Sequence, residues 1–176
     1  MKVLYQAQVS ASTAFEVVQG NLLEEPVDAI VNAANGHLAH AGGVAAVISR
    51  AAGPALQQES DRIVREHGPF PTGSAVVTTA GRLPFKAVIH TIGPRWGEGE
   101  EEAKLERALA AAFSCARERG WNSVSFPAVS AGIFAVPPHI CARAYLAAVR
   151  GAALSKVRLC LRDQAVIDAV LEEVSR

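Results

Sequence analysis

Asn32, Asn35, His37 and His40 cluster in one short span and run directly into Gly42 and Gly43. Amide side chains hold hydroxyl groups, and an imidazole can move a proton near neutral pH. His37 and His40 also have a metal-ligand spacing, but no carboxylate or thiolate accompanies them and their loop is not helical, so no metal ion is expected. The glycines beyond the histidines point instead to an anion. Paired glycines let the backbone approach a bound group, and the unpaired N–H groups of a first helical turn point at it. Residues 29–49 contain no Asp, Glu, Lys or Arg. A phosphate held there is therefore held by backbone N–H groups and the helix dipole, without a basic side chain. A second uncharged run, 122–142, contains Pro127, Ala128, Val129, Ser130, Ala131, Gly132, Ile133 and Phe134. Two such loops are suited to clamping the two phosphates of a nucleotide diphosphate.

These loops need elements to position them. The apolar residues Ala29, Ile30 and Val31 read as a buried strand feeding the first loop. Val44, Val47, Ile48 and Ala51 then fall at i, i+3, i+4 and i+7, the apolar face of a helix ended by Gly53-Pro54. Further strands are predicted at 2–9, 15–18, 74–78, 87–92, 124–127 and 157–161. Helices are predicted at 54–66, 98–119, 138–149 and around Val166, Ile167, Val170, Leu171 and Val174. In the helix predicted at 98–119, Leu105, Ala108, Leu109, Ala112, Phe113 and Ala116 share one face, and the acidic start suits the positive end of its dipole. Strands alternating with helices predict an α/β protein: one domain over 1–176, three layers α/β/α around a central mixed sheet. Ligands bind outside the carboxyl ends of such strands. Both loops lie there, as does Arg162-Asp163.

VNAAN (31–35), HLAHAGGVA (37–45) and FPAVSAGIF (126–134), in this order and spacing, resemble the macrodomain family, in its stand-alone prokaryotic and coronaviral forms. The likeness runs from about residue 15 to residue 171. It implies a macrodomain fold, ADP-ribose as ligand and, in many members, removal of ADP-ribose from proteins or from phosphate or acetyl esters. Asn35 then holds the hydroxyls of the distal ribose, with His40 near the same sugar, and these two are the catalytic candidates. Gly42, Gly43 and Val44 form the first diphosphate loop, and Ser130, Ala131, Gly132 and Ile133 the second. Phe134 covers the distal ribose. Asn21 and Leu22 meet the adenine, and Arg162 stacks on it where relatives hold Phe or Tyr.

The sequence departs from the family pattern in several places. Asn21 replaces the Asp of a common GD(I/L) motif and can accept a hydrogen bond only without charge assistance. Ala41 takes the place of the first of three glycines. Ala45 stands where one class of members has Asp, so no carboxylate base can be assigned. Simpler uses also remain open. Asn32 and Asn35 can cap their own loop, the glycines can be mere turn residues, and His40 a surface histidine. Arg162 can be an exposed ion-pairing side chain, and Ile133 and Phe134 can serve the core.

Bulk composition narrows the function classes. Lys+Arg and Asp+Glu are both 17, net charge zero, with no basic run, so DNA is not an expected partner and poly(A) is a remote one. Cys115, Cys141 and Cys160 stand alone, which favours a reducing compartment and no zinc site. Gln6, Gln8 and Ser10 interrupt any apolar core after Lys2, so no signal peptide is expected. Asn32, Asn35 and His40 in the first uncharged run, and Pro127, Pro137 and Pro138 in the second, argue against membrane spans. The expectation is a cytoplasmic, cofactor-free ADP-ribose-binding protein. It would hydrolyse ADP-ribose from modified protein carboxylates or related esters, with a substrate phosphate or His40 assisting the attacking water. Two other readings stay open: a reader that binds without cleaving, and a phosphatase or deacetylase of free ADP-ribose derivatives.

Overall fold

The computed structural model describes residues 1–176. Its sheet contains β1 (Lys2–Gln8), β2 (Ala14–Gln19), β3 (Ala29–Ala34), β4 (Ala75–Thr78), β5 (Ala87–Ile92), β6 (Ser123–Phe126) and β7 (Lys156–Leu161), in the order β1-β2-β7-β6-β3-β5-β4. The run from β2 to β5 is parallel, and an antiparallel strand closes each edge. The strands read as unbroken apolar runs because helices cover both faces. Ala29, Val31, Ile89, Val157 and Leu159 pack with α3 (Glu101–Glu118), α4 (Pro138–Arg150) and α5 (Gln164–Val174). Their alternates Ile30, Val88 and Cys160 pack with Ile48 and Leu56 of α1 (Gly43–Ala52) and α2 (Pro54–His67). This is the expected three-layer α/β/α arrangement around a mixed sheet. No helix is long and apolar enough to cross a membrane.

In α3 the buried face is the expected one, Leu105, Ala108, Leu109, Ala112, Phe113 and Ala116. In α1 it is not. The helix buries Ala45, Ile48 and Ala52, and Val47 is 44% exposed. Ile48 is buried as expected, but alanines and valines cover several sides of this helix, so its periodicity does not fix which of Ala45, Val47, Ala51 and Ala52 joins Ile48 in the core. A short 3-10 turn, Leu22–Glu24, also lies where the sequence predicts no element. It is pinned from below. Glu25, fully buried, accepts from Arg158 Nε (3.0 Å) and from Ser125 Oγ (2.8 Å), joining the turn to β7 and β6.

Candidate functional site

Asn35 follows the last residue of β3 and turns the chain back on itself. Its Oδ1 accepts the N–H groups of His37 (3.1 Å) and Ala39 (3.2 Å), and its Nδ2 donates to Ala39 O (2.9 Å). The loop-capping use is therefore real. Asn35 nevertheless lines the cleft described below, and one Nδ2 hydrogen is uncommitted.

Asn32 is fully buried beneath the loop and supports it through His40, whose own place differs from expectation. Its Nδ2 contacts Nδ1 of His90 (3.0 Å) and Nδ1 of His40 (3.3 Å), whose rings stack 4.7 Å apart. His40 Nε2 meets Ser60 Oγ (3.0 Å) and His90 Nε2 meets Thr78 Oγ1 (2.7 Å). One amide donating to both Nδ1 atoms makes both imidazoles neutral Nε2–H tautomers, which then donate to the two hydroxyls. Burial pushes His40 down to about 4 despite the opposing pull of Asp61, and burial followed by the neighbouring His40 lowers His90. His40 is thus a buried structural group. It does not line the cleft, both its nitrogens are engaged, and it is not the proton acceptor the sequence suggested. Gln57 of α2 completes the clamp, accepting from His40 N (3.2 Å) and donating to Leu38 O (2.9 Å).

Beyond this anchor the chain enters α1 through Gly42. No side chain caps the helix, so the N–H groups of Gly43, Val44 and Ala45 have no acceptor within it. Gly43 has φ +58, a conformation that strains any residue with a Cβ.

The second loop is held from behind. Tyr145 OH in α4 donates to Val129 O (2.6 Å), and Val136 N bonds Ser130 O (3.0 Å). Ser130 and Ala135 adopt φ +66 and +59. The N–H groups of Gly132, Ile133 and Phe134 find no acceptor in the protein. Ile133 is not a core residue, being 77% exposed with its Cδ1 over Gly42 and Gly43. Phe134 is half-buried, with the Arg95 guanidinium 4.6 Å above its ring. Gly93, just past β5, is needed for closeness: a Cβ there would lie 2.2 Å from Ser130 Oγ.

At the other end Leu22, Cys160, Leu161, Arg162 and Asp163 line the cleft. Asn21 does not. Its Oδ1 caps the 3-10 turn by accepting Leu23 N (3.0 Å). Arg162 is exposed and makes no ion pair, while Asp163 caps α5. Burial pushes the Cys160 thiol up to about 12, which removes it as a nucleophile.

Together these groups bound a cleft of about 630 Å³ along the carboxyl ends of β7, β6, β3 and β5. That is three strand spacings, about 14 Å, and the volume of a small-ligand site. Its charged lining residues are Arg95, Arg162 and Asp163. Sequence reasoning missed Gly93 and Arg95. The signal was present: Gly93-Pro94-Arg95-Trp96 follows a buried strand at its carboxyl end, the same position rule that marked the other two loops.

A family model described as Macro domain matches residues 31–145. An O-acetyl-ADP-ribose deacetylase of Salmonella gallinarum is 41% identical over 167 residues, 94% of this chain and 92% of its own. An uncharacterized protein of Thermotoga maritima is 45% identical over 84% of this chain, which spans only 26% of that protein. Among solved structures, the Oceanobacillus iheyensis macrodomain with ADP superposes with a TM-score of 0.89 at 27% identity, covering 97% of this chain and 94% of that one.

Proposed function

The chain belongs to the macrodomain family, and from that premise we propose that it binds ADP-ribose in this cleft and hydrolyses it from modified protein carboxylates or related esters. The observation that carries the reading is the pair of facing uncharged loops. The N–H groups of Gly43, Val44 and Ala45 on one side, and of Gly132, Ile133 and Phe134 on the other, lack protein acceptors. A diphosphate between them accepts from both sets and lies on the positive end of α1. Adenosine extends toward Leu22, Leu161 and Arg162, where the guanidinium plane stacks on the base. The distal ribose extends toward Asn35 and Phe134.

The hydrolytic step rests on orientation. The bond broken joins the anomeric carbon to the ester oxygen or the acyl carbon to that oxygen, and water supplies the incoming oxygen in either case. No Asp, Glu or His lines the ribose end of the cleft: Ala45 stands there, and His40 is buried behind it. A diphosphate oxygen of the substrate then takes the role of aligning the water, with Asn35 and the loops fixing the sugar. This predicts modest turnover.

The same lack of a titratable group favours a second reading, a module that binds ADP-ribosylated protein without cleaving it. Two measurements separate the readings. Calorimetric titration with ADP-ribose, ADP, AMP and NAD tests the ligand, and release of free ADP-ribose from an automodified protein tests the chemistry. Binding without release over many hours leaves the reader; no binding of ADP-ribose overturns both.

A further inference from the structure

The distal end of the cleft holds one feature that the diphosphate loops do not use. Arg95 follows β5, the strand farthest from Arg162 among those that border the cleft. Its guanidinium carbon lies over the Phe134 ring, 4.6 Å from the centroid, and the neighbouring Trp96 N–H bonds Phe134 O (2.8 Å). It makes no ion pair, although glutamates crowd the segment after it.

Three of those carboxylates are turned to other partners. Glu98 contacts Lys104 (3.7 Å), Glu101 accepts the N–H groups of Gly97 (2.9 Å) and Gly99 (3.0 Å), and Glu102 takes Arg143 Nε (2.7 Å). Gly97 and Gly99, at φ +99 and +89, flank Glu98 at the start of the acidic run. At the opposite end Asp163 balances Arg162 within the lining, whereas no carboxylate lines the β3 and β5 side. The ribose end therefore carries one uncompensated positive charge on a side chain already stacked in place.

We propose that Arg95 is a specificity-determining residue that selects, among free ADP-ribose derivatives, those whose anomeric oxygen carries an anion, a phosphate monoester, over ADP-ribose itself. The proposal rests on ADP-ribose occupying the cleft with its distal ribose toward Asn35 and Phe134. A planar guanidinium forms paired charge-assisted hydrogen bonds with a phosphate, and stacking on Phe134 removes much of the rotamer freedom such a contact would otherwise cost. Backbone N–H groups already serve the diphosphate, so the Arg95 charge acts on whatever lies beyond the distal ribose.

The test is calorimetric titration of the parent, R95Q and R95K with ADP-ribose and with ADP-ribose phosphorylated at the anomeric oxygen. The parent is expected to bind the phosphorylated ligand about tenfold more tightly, the scale of one hydrogen bond between charged groups. The preference should shrink with added salt. In R95Q the ratio of the two affinities should fall toward one, and in R95K part of it should return. A merely structural role for Arg95 lowers both affinities together and leaves the ratio unchanged, which would overturn the proposal. So would a parent that binds both ligands equally. A parent that binds neither ligand overturns the ADP-ribose reading itself, a result distinguishable from loss of the preference alone.

Discussion

Ile133 Cδ1 lies 3.5 Å from the point where a side chain on Gly42 would begin, so the two glycine-bearing loops touch across the mouth of the cleft. The contact explains why an isoleucine 77% exposed is useful there. It closes the wall over the phosphate-binding N–H groups while leaving both ends of the cleft open.

Substitutions in the two loops should separate by backbone conformation. Gly42 is extended (φ −149), and a Cβ there meets only Ile133 at ordinary contact distance. Gly42→Val should fold normally and weaken ADP-ribose binding, because its branch enters the cleft beside Ile133. Gly43 has φ +58, so Gly43→Val should also lose about 1–2 kcal/mol of stability. Urea unfolding and calorimetric titration of both variants read this out. Equal stability losses would show that the left-handed conformation of Gly43 is not a constraint.

Gly132→Glu tests the second loop by charge. A Cβ at Gly132 meets nothing within 4 Å, so the fold should be indifferent to it. A carboxylate beside the bound diphosphate should weaken ADP-ribose by tenfold or more, since a like charge at close range costs on the order of several kcal/mol. A folded variant that binds as the parent does would remove the second loop from the phosphate site.

Much of this arrangement is legible from residue order. Uncharged loops, the strand before each and the buried face of α3 follow from patterns that depend on neighbours along the chain. The misplaced groups depend on neighbours across it. Sequence places His40 in the cleft because its loop borders the cleft. Its direction is set by Asn32, Ser60 and His90, which come from β3, α2 and β5. Asn21 likewise lies off the cleft lining, and the local cap its Oδ1 makes with Leu23 N depends on the 3-10 turn, which residue order did not show. Arg95 escapes notice because a single arginine after a strand is unremarkable until Phe134 is found beneath it.

The buried histidine pair predicts acid sensitivity. Unfolded imidazole titrates near about 6.5, and His40 in the folded state is held down to about 4 by burial. Between those values the unfolded chain binds the proton and the folded chain does not, so stability falls as pH drops from about 6.5 toward 4. Each histidine contributes up to about 1.4 kcal/mol per pH unit in that window. Urea midpoints measured from pH 7.5 downward should decline below about 6.5, and His40→Asn should decline less steeply. A stability that stays flat through this range would mean that the folded pair takes up protons as readily as the unfolded chain does and is not held neutral by burial.

Glu25 offers a stability test away from the cleft floor. Its side chain is fully buried and paired with Arg158, itself 6% exposed. Removing one partner of such a pair costs about 3–5 kcal/mol, because the other charge is left uncompensated. Arg158 also contacts Glu16, so Glu25→Gln should fall at the lower end of that range. Because Glu25 ends the turn that presents Leu22, the variant should also bind AMP less tightly. Loss of stability with AMP affinity unchanged would uncouple this ion pair from the base end of the site.

Asn35→Ala bears on both binding and chemistry. The side chain makes three hydrogen bonds to the backbone of its own turn, to His37 N, Ala39 N and Ala39 O. Their loss should cost about 1–3 kcal/mol of stability and loosen the wall of the ribose end. The adenine contacts at β7 and the diphosphate N–H groups of α1 and of the loop after β6 remain, so ADP-ribose affinity should fall by only about 1–2 kcal/mol. Turnover should fall further, because orientation of the sugar against the attacking water is felt most in the transition state. Affinity is measured by titration, and turnover by release of ADP-ribose from a modified protein, at a temperature where both forms are folded. A variant that keeps the parent's turnover while binding more weakly would confine Asn35 to ligand retention, and catalysis would then depend on the two diphosphate loops alone.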